Sequence, residues 1–480
     1  MARHSLLIRN AQLWNGSSSG KRADVLIEDN DIKRIGTNLA VELADRVIDA
    51  DGGLLLPGLH DHHIHLAGLA VRGQSVWCGP PQVVHGADLS AALRSAPGLG
   101  WIRGIGYHES VLGGLPDAAA LDDIIPDRPL RMQHRSGRMW LLNAAALDML
   151  LAQTDPPQGL ERESGRFTGR LFDEDAWLRS ALRSAPPEFD TISHELARLG
   201  VTGITDMTPQ NGPEMARHFA EQRQSGTLLQ RVTMAGTLEL ADARQVSWVL
   251  GPVKLHLHEA DLPPFEEAVV LARDAHHQGR ALAIHCVSEV EIVFALALLE
   301  EAGSLPGDRI EHASIASPEH IARMAAMGLA VCVQPHFVAE RGDQYLTDVE
   351  PRLLDELYRL QSLRNAGIAL AAGSDAPFAS HDPWAAMRAA VSRETASGQN
   401  VGLWEALTPE QALSLYLADP ADLTRQREIA VGAPADLCLL CCSWDHARER
   451  LSGNDVALTL ASGRVVHQLV DQAPFERRSR

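Results

Sequence analysis

Histidines are concentrated in the segment LLLPGLHDHHIHL, which carries His60, His62, His63 and His65. In a β-strand, side chains two positions apart project from the same face. His63 and His65 therefore lie on one face, with Asp61 behind them, and the other two histidines point away. Two imidazoles on one face can chelate a metal ion. Taken alone, the motif is equally compatible with a strand that is merely rich in histidine.

Three further polar residues end apolar, strand-like segments later in the chain. His285 lies in ALAIHC, His312 in RIEHA and Asp375 at the end of IALAAGSD. If these segments are strands of one parallel barrel, the three residues lie at the carboxyl ends of the strands, where TIM-barrel active sites are found. A lone histidine at a strand end is usually just a hydrogen-bonded polar residue. The three positions together with His63 and His65 predict a metal site.

Lys254 extends this set to another strand. In PVKLHLHE, Lys254, His256 and His258 alternate with apolar residues, so the apolar face can pack on outer helices while the lysine points into the barrel. A buried lysine is costly unless it is neutralised or paired. Reaction with CO₂ would give a carbamate able to bridge two metal ions, and a salt bridge to an acid is the alternative.

The elements that must position these residues alternate along the chain. Helical segments such as FEEAVVLARDAHHQG and PEHIARMAAMG separate most of the central strand-like segments, which indicates parallel strands with crossover helices. With LLLPGLHDHHIHL as the first strand there are about eight, which predicts a (β/α)₈ TIM barrel over residues 57–422. Residues from about 70 to 195 interrupt the pattern and are interpreted as an insertion over the barrel mouth.

Both ends of the chain consist of short, branched-apolar segments separated by turn residues. Residues 1–56 contain SLLIRNAQLW and ADVLIED, and residues 423–480 contain ADLCLLCC and DVALTLASGRVVH. Each end is too small to bury a core alone. We therefore expect the two ends to assemble one small β-sandwich.

The order of His-x-His on strand 1, lysine on strand 4, histidines on strands 5 and 6 and aspartate on strand 8 resembles the amidohydrolase superfamily. Within it, the chain is similar to the branch that includes N-substituted formamide deformylase. The resembling segments spread over nearly the whole chain and are LLLPGLHDHHIHL, GWIRGIGY, IIPDRPL, NAAAL, GVTGITDM, VKLHLHE, RIEHA, GSDAPFASHDPW and VGAPADLCLL.

The resemblance implies a hydrolase that cleaves a non-peptide, amide-like C–N bond of a small molecule. It implies a first metal held by His63, His65 and Asp375, a second held by His285 and His312, and carboxylated Lys254 between them. A metal-bound water would then be the nucleophile, with Asp375 as its proton shuttle. The second metal, or a histidine such as His336 or His258, would polarise the carbonyl. Nitrogen-rich sites with a carboxylate suit zinc, although cobalt, nickel or manganese can replace it.

The chain departs from the branch near the expected pocket. Cys286-Val287-Ser288-Glu289 follows His285 where HAIGDRA is usual, and Leu257-His258-Glu259 replaces Ala-Asp-Gly. In the insertion, the usual Asp-Gly-His-Ala is replaced by a segment that begins at Ser136. Two arginines there, Arg135 and Arg138, would meet an anionic group of the substrate or lie on the surface.

Two rival functions predict different features. A mononuclear deaminase of a nucleobase-like or aminated heterocycle places a glutamate three residues after the strand-5 histidine, where this chain has Ser288, with Glu289 one place late. Such a deaminase also needs no lysine on strand 4, where this chain has Lys254. A metal-free, non-catalytic relative would have lost ligands, and here none is lost. Both features favour the hydrolase.

Composition restricts the partners. The net charge of −19, from 62 acidic and 43 basic residues, argues against a nucleic-acid surface. No apolar segment approaches a membrane span and no secretory signal is recognised, so we expect a cytoplasmic protein with a small-molecule substrate. The six cysteines show no framework for disulfides or structural zinc. A homo-oligomer is compatible with the sequence.

Overall fold

The structure is a computed structural model that describes residues 5–16, 19–73, 75–80, 82–182 and 186–469. The chain divides into two compact units. The larger comprises Met1–Leu66 and Glu188–Arg480, and the smaller comprises Ala67–Pro187.

Eight parallel strands form the sheet at the centre of the larger unit, and each pairs with the next in chain order. They are β1 Leu59–Ile64, β2 Val201–Asp206, β3 Arg231–Gly236, β4 Val249–His256, β5 Leu282–Cys286, β6 Arg309–His312, β7 Ala330–Val333 and β8 Ala369–Ala372. The buried apolar residues of β2, β3, β5, β7 and β8 are typical of strands that are covered on both faces, whereas β1 and β6 also bury polar residues such as His63 and Glu311. The mixed α/β fold with a parallel barrel sheet is therefore confirmed.

The barrel is nearly closed between its last and first strands. Beyond the end of β8, the backbone N–H of Asp375 donates to the carbonyl of His63 over 2.6 Å, and that of His65 donates to the carbonyl of Ala376 over 2.8 Å. These bonds join the two segments from which the sequence predicts the first metal site.

Helices connect most of the strands. The helix Leu66–Gly73, which follows β1, belongs almost entirely to the smaller unit. The helices of the larger unit include Asp190–Arg198, Pro213–Ser225, Phe265–His277, Glu289–Ala302, Pro318–Ala326, His336–Asp348, Leu360–Asn365, Pro383–Ser392 and Pro409–Leu417. Capping boxes at Ser288, Ser317 and Thr408 explain where three of them begin, because each side chain accepts from the third backbone N–H of its helix. The two helices expected before β5 and β7 are confirmed. After β3 only the short 3₁₀ segment Leu238–Asp242 follows.

Strands from both ends of the chain pair in one sheet, which we call the end sheet. Its order is Arg464–Gln468, Val456–Ala461, Leu437–Leu440, Leu54–Pro57, Ser5–Trp14, Ser19–Glu28 and Asp31–Gly36, with Arg46–Asp49 also paired to Ser5–Trp14. Apolar residues from both ends form one core, including Leu6, Val25, Leu437 and Leu458. The ends do assemble, but the strands hydrogen-bond into one sheet, so the separate sandwich is not confirmed.

The smaller unit has a six-stranded sheet of its own. Its order is Leu160–Glu163, Arg166–Phe172, Met139–Leu142, Leu130–His134, Ile102–Tyr107 and Val76–Trp77. Its other helices are Gly86–Arg94, Ala118–Ile124, Ala144–Leu151 and Asp175–Leu182. The expected domain limits stay a prediction.

Among the described residues, no helix combines the length and the apolar character that a membrane crossing requires.

Candidate metal centre

His63, on β1, lies in a fully buried hydrogen-bonded group. Its Nδ1 is 2.6 Å from Oε2 of Glu311, and Oε1 of Glu311 accepts from Nε–H of Arg309 over 2.5 Å. The side chains of His63 and Glu311 are 1% and 0% exposed. Because an ionised carboxylate only accepts, His63 must carry a proton on Nδ1, which leaves Nε2 as the atom that faces the site.

Asp375 brings its carboxylate to both histidines of the His-x-His motif. Its Oδ1 is 3.3 Å from Nε2 of His63 and 3.1 Å from Nε2 of His65. Nδ1 of His65 is 3.2 Å from the hydroxyl oxygen of Thr208. The three side chains, with their ligand atoms within 4.8 Å of one another, are capable of holding a metal ion.

Close contact between β8 and β1 depends on Gly373. A Cβ at this position would lie 2.2 Å from the backbone nitrogen of His63, which is impossible without moving the strand. Asp61 reinforces the same junction, since its Oδ1 accepts from the backbone N–H groups of His63 and Ser374 over 3.1 and 2.9 Å. Burial raises the pKa of Asp61 to about 6, although these hydrogen bonds oppose the shift.

Backbone strain occurs at two of the expected ligands. His312 has φ 70° and Asp375 has φ 51°, both in the left-handed region that non-glycine residues rarely adopt. Such conformations cost about 1–3 kcal/mol each and persist where the surroundings impose them. Both occur where a barrel strand gives way to a loop and the side chain must reach the site.

His285 and His312 continue the cluster across β5 and β6. The ring centroid of His312 lies 4.9 Å from that of His63 and 4.5 Å from that of His285. Nδ1 of His312 is 2.7 Å from Oε1 of Gln334. Because an amide oxygen only accepts, the proton of a neutral His312 is on Nδ1 and its Nε2 is free to bind a metal.

Lys254 is buried inside the barrel without a hydrogen-bonding partner. The residue is 6% exposed, and Nζ makes no hydrogen bond to any residue that the structure describes. Burial lowers the pKa of the Lys254 amine, while the carboxylates of Glu311 and Asp375 oppose this shift. An ammonium is costly here, so the site favours a neutral or chemically modified amine.

Electrostatics favour neutral imidazoles at His285 and His312 and an ionised carboxylate at Asp375. Burial lowers the pKa of His312 to about 3, and burial with the neighbouring His312 lowers that of His285 still further. Burial alone would raise the pKa of Asp375, but His63 and His65 hold it well below its usual value. Neutral imidazole and ionised carboxylate are the forms that bind metals.

His336 is placed close to Asp375, whereas His258 is not part of the buried group. Nε2–H of His336 donates to the carbonyl of Ser374 over 2.9 Å, and its Nδ1 is buried with no hydrogen-bond partner among the described residues. Neutral His336 therefore presents an acceptor rather than the donor that carbonyl polarisation requires. His258 follows β4 on the surface, with its ring 6.3 Å from that of His256.

Arg135 and Arg138 lie in the smaller unit, on the exposed turn between Leu130–His134 and Met139–Leu142. Arg138 makes a bidentate ion pair with Asp173, with both N···O distances 2.8 Å. This pair occupies the Arg138 guanidinium, and both arginines lie on the surface, which is one of the two alternatives that the sequence leaves open. The substrate-binding role of both arginines stays a prediction.

Three further residues at the site are not among those predicted from the sequence. Glu311 and Arg309 form the buried pair behind His63, and the ring of His256 lies 4.3 Å from that of His285. The alternation of side chains along a strand could have indicated them. In RIEHA, Arg309 and Glu311 are two positions apart and therefore share one face of the strand. In PVKLHLHE, His256 shares the inward face of Lys254.

The donor set fits a metal centre. With Nδ1–H of His63 given to Glu311, its Nε2 and the Asp375 carboxylate are two acceptors 3.3 Å apart, an arrangement that positive charge between them would stabilise. Either a proton on Nε2 or a metal ion can supply this charge. Although burial and Lys254 oppose it, Glu311 and Asp375 raise the pKa of His63. A divalent ion would supply the same charge, and His63, His65, Asp375, His285, His312 and Lys254 all contribute to one cluster.

The chain is similar to known proteins over nearly its whole length. The chain is 26% identical to the N-substituted formamide deformylase of Arthrobacter pascens, over 91% of this chain and 93% of the relative. It is 24% identical to the putative amidohydrolase YtcJ of Bacillus subtilis, over 95% and 99%.

A solved structure supports the fold. An uncharacterized metal-dependent hydrolase from Pyrococcus horikoshii superimposes with a TM-score of 0.75 at 20% identity, covering 92% of this chain and 98% of that one. The amidohydrolase family model matches residues 46–467. The expected resemblance is thus confirmed: the chain belongs to the amidohydrolase family and is a hydrolase of carbon–nitrogen bonds other than peptide bonds.

Proposed function

We propose that the protein hydrolyses an amide-like C–N bond of a small molecule at a two-metal centre, with Asp375 as the proton shuttle. One observation carries the proposal: His63 and His312 each hold their Nδ1 proton on a buried acceptor, so that both Nε2 atoms are free at the site of Asp375 and Lys254. Partners on the second nitrogen fix the tautomer and orientation of metal-binding histidines.

The two groups of ligands follow from the strands. His63, His65 and Asp375 would hold the first ion, and His285 and His312 the second, with Lys254 between them. A set of imidazole nitrogens with carboxylate oxygens suits Zn²⁺, and sites of this kind also accept other divalent first-row metals.

Lys254 would join the centre as a carbamate. Its neutral amine adds to the carbon of CO₂ and releases one proton, so that a new N–C bond forms and the side chain changes from a base to an anion. The absence of a hydrogen-bond partner for Nζ among the described residues supports this reaction, because no described carboxylate is hydrogen-bonded to the amine. An anionic, bidentate end group supplies the bridge that a lysine amine cannot.

Bound metal supplies a Lewis acid that lowers the pKa of water and polarises the scissile carbonyl. Asp375 accepts the proton of the attacking water, because His63 and His65 keep its carboxylate ionised. It then delivers the proton to the departing nitrogen. The strained backbone at Asp375 and its bond to the His63 carbonyl fix the position of the carboxylate.

His336 supports this proton path. Its Nε2–H is committed to the Ser374 carbonyl, next to Asp375, and its free Nδ1 can accept a proton. We assign His336 to positioning the Asp375 loop, with proton acceptance as its second role. His256, 4.3 Å from His285 and open to solvent, is better placed than His258 to contact a substrate.

The deaminase alternative lacks its proton shuttle. Ser288, at the position where such enzymes would place a glutamate, caps the helix Glu289–Ala302 by accepting from the backbone N–H of Glu291. Glu289 pairs with Arg352 over 3.1 Å. Neither side chain is available as the acid–base group next to His285.

N-substituted formamides are the first substrates to test, because the deformylase of Arthrobacter pascens covers nearly the whole chain. Phe378 lies beside His65, with ring centroids 5.6 Å apart, and is 59% exposed. An exposed aromatic ring at this position offers an apolar surface for a substituent on the substrate nitrogen.

The test is a substrate screen of zinc-loaded protein with formamides, N-acyl amino acids, lactams and aminated heterocycles, measuring release of amine, carboxylate or ammonia. We expect hydrolysis of an amide-like substrate that is lost in Asp375→Asn and retained in the exposed-site control Asp355→Asn. Release of ammonia from an aminated heterocycle, with no amide cleaved, would contradict the proposal and support the deaminase.

A further inference from the structure

A second group of metal-capable side chains lies in the end sheet, outside the proposed centre. Cys441 and Cys442 follow the strand Leu437–Leu440, and Asp455 directly precedes the strand Val456–Ala461. The two strands are antiparallel neighbours, and the backbone N–H of Cys441 donates to the Asp455 carbonyl over 2.8 Å. Both sulfurs and one carboxylate oxygen lie within 4.8 Å of one another.

Asp455 supplies the independent sign of a missing ligand. The residue is only 6% exposed, and its Oδ1 accepts from Nη2 of Arg450 over 2.8 Å. Its Oδ2 is buried and has no hydrogen-bond partner in the part of the chain that the structure describes. Leaving a buried acceptor unpaired costs about 1–3 kcal/mol, and more for a charged group. A cation bound between this carboxylate and the sulfurs would remove that cost.

The local charge matches a divalent cation. Nη2 of Arg450 lies 2.8 Å from Asp455 and 3.6 Å from Sγ of Cys442. Two thiolates and a carboxylate beside one guanidinium leave two negative charges, which a divalent ion neutralises. Arg450 therefore stabilises the anionic ligands without occupying Oδ2.

We propose that Cys441, Cys442 and Asp455 form a site for a thiophilic divalent cation, Zn²⁺ or Cd²⁺, separate from the hydrolytic centre. Thiolate ligands select such ions over Mg²⁺ and Ca²⁺. Three protein ligands leave one coordination position for solvent or an added ligand, and the exposed Cys441 provides access.

Binding must release protons. Burial, with Asp455 and Cys441 nearby, raises the pKa of Cys442 to about 11, so this thiol is protonated at neutral pH in the metal-free protein. Cys442 exchanges its S–H proton for a sulfur–metal bond, so each divalent ion that binds there displaces at least one proton.

The experiment is a Cd²⁺ titration of the zinc-loaded, phosphine-reduced protein, following the ultraviolet thiolate-to-cadmium charge-transfer band, proton release and total bound metal. The test variants are Cys441→Ser, Cys442→Ser and Asp455→Asn. The controls are Cys438→Ala, a buried cysteine of the same strand, and Asp445→Asn, an exposed acid of the following helix.

We expect wild type and controls to bind one more Cd²⁺ than the cysteine variants, with a charge-transfer band that those variants lack. Asp455→Asn should weaken this binding at least about tenfold, the loss that even outer partners of a metal site cause. Hydrolytic activity should stay unchanged throughout. Equal cadmium content and identical spectra in wild type and Cys441→Ser would overturn the proposal. Unchanged affinity in Asp455→Asn would overturn the assignment of Asp455 as a ligand.

Discussion

Replacing Glu311 by Gln tests how the barrel core controls the metal-binding face of His63. Glu311 is fully buried and accepts from Arg309 on one oxygen and from His63 on the other. The amide of Gln has one acceptor and one donor. If its oxygen faces Arg309, its N–H₂ group donates to Nδ1 of His63 and forces the imidazole proton onto Nε2, the metal-binding atom. If the amide is reversed, its N–H₂ group faces Nε–H of Arg309, and neither of these donors has an acceptor.

The substitution also leaves a buried guanidinium without its counter-ion, since the Arg309 side chain is 5% exposed. Removing one partner of a buried ion pair costs about 3–5 kcal/mol. Loss of the group that orients a metal-binding histidine costs about 10- to 100-fold in metal affinity. Both losses should appear together in Glu311→Gln.

The assay is urea unfolding of metal-stripped protein, because bound metal would add its own stabilisation, followed by zinc titration of the refolded variant. The matched control is Glu300→Gln, whose partner Arg323 lies at a similar 2.9 Å but on the surface. We expect the control to lose at most about 1 kcal/mol. A Glu311→Gln protein as stable as the control, with wild-type zinc affinity, would refute this account of the pair.

Three further predictions concern the site itself. Lys254→Ala should lose most of its activity and recover part of it with added short-chain carboxylic acids, whereas an uncharged amide should give no recovery. Wild-type activity without any additive would contradict the carbamate. Asp375→Asn should keep much of its metal but lose at least about a hundredfold in kcat. The loss should be larger for amides than for activated esters, because the leaving groups of activated esters need no proton. Equal losses for amides and esters would argue that Asp375 acts in metal ligation alone. Gly373→Ala should cost about 1–3 kcal/mol in unfolding free energy and weaken zinc binding, because the new Cβ meets the His63 backbone. The control is Gly114→Ala, because a Cβ at Gly114 would lie in open space.

The clustering of the candidate ligands could be predicted from the sequence because their positions combine two strong signals. His285, His312 and Asp375 lie at or just beyond the carboxyl ends of apolar strands, and parallel strands of one barrel place all such ends on one face. Side chains two positions apart along a strand share a face, and this distinguishes His63 and His65 from His60 and His62. Nothing more than strand order is needed to expect one cluster.

The groups that orient the ligands were harder to predict. Glu311 and Gln334 act through hydrogen bonds across neighbouring strands, and such pairings depend on register, which local patterns do not reveal. The tautomer of His336 depends likewise on a backbone carbonyl 38 residues away in the chain. The small β-sandwich is expected from strand-like segments and turn residues at both ends of the chain, which carry no information on strand pairing. In the structure, the pairing of Leu54–Pro57 with both Ser5–Trp14 and Leu437–Leu440 joins the strands in one sheet.

The most direct test of the proposed metal centre is a crystal structure of the zinc-loaded protein with anomalous data collected at the zinc edge. We predict one ion within about 2.2 Å of His63, His65 and Asp375, and a second at the same range from His285 and His312. Added density for a carboxyl group on Nζ of Lys254 should bridge them. Ions bound elsewhere, together with an unmodified Lys254 ammonium paired to an acid, would contradict the account.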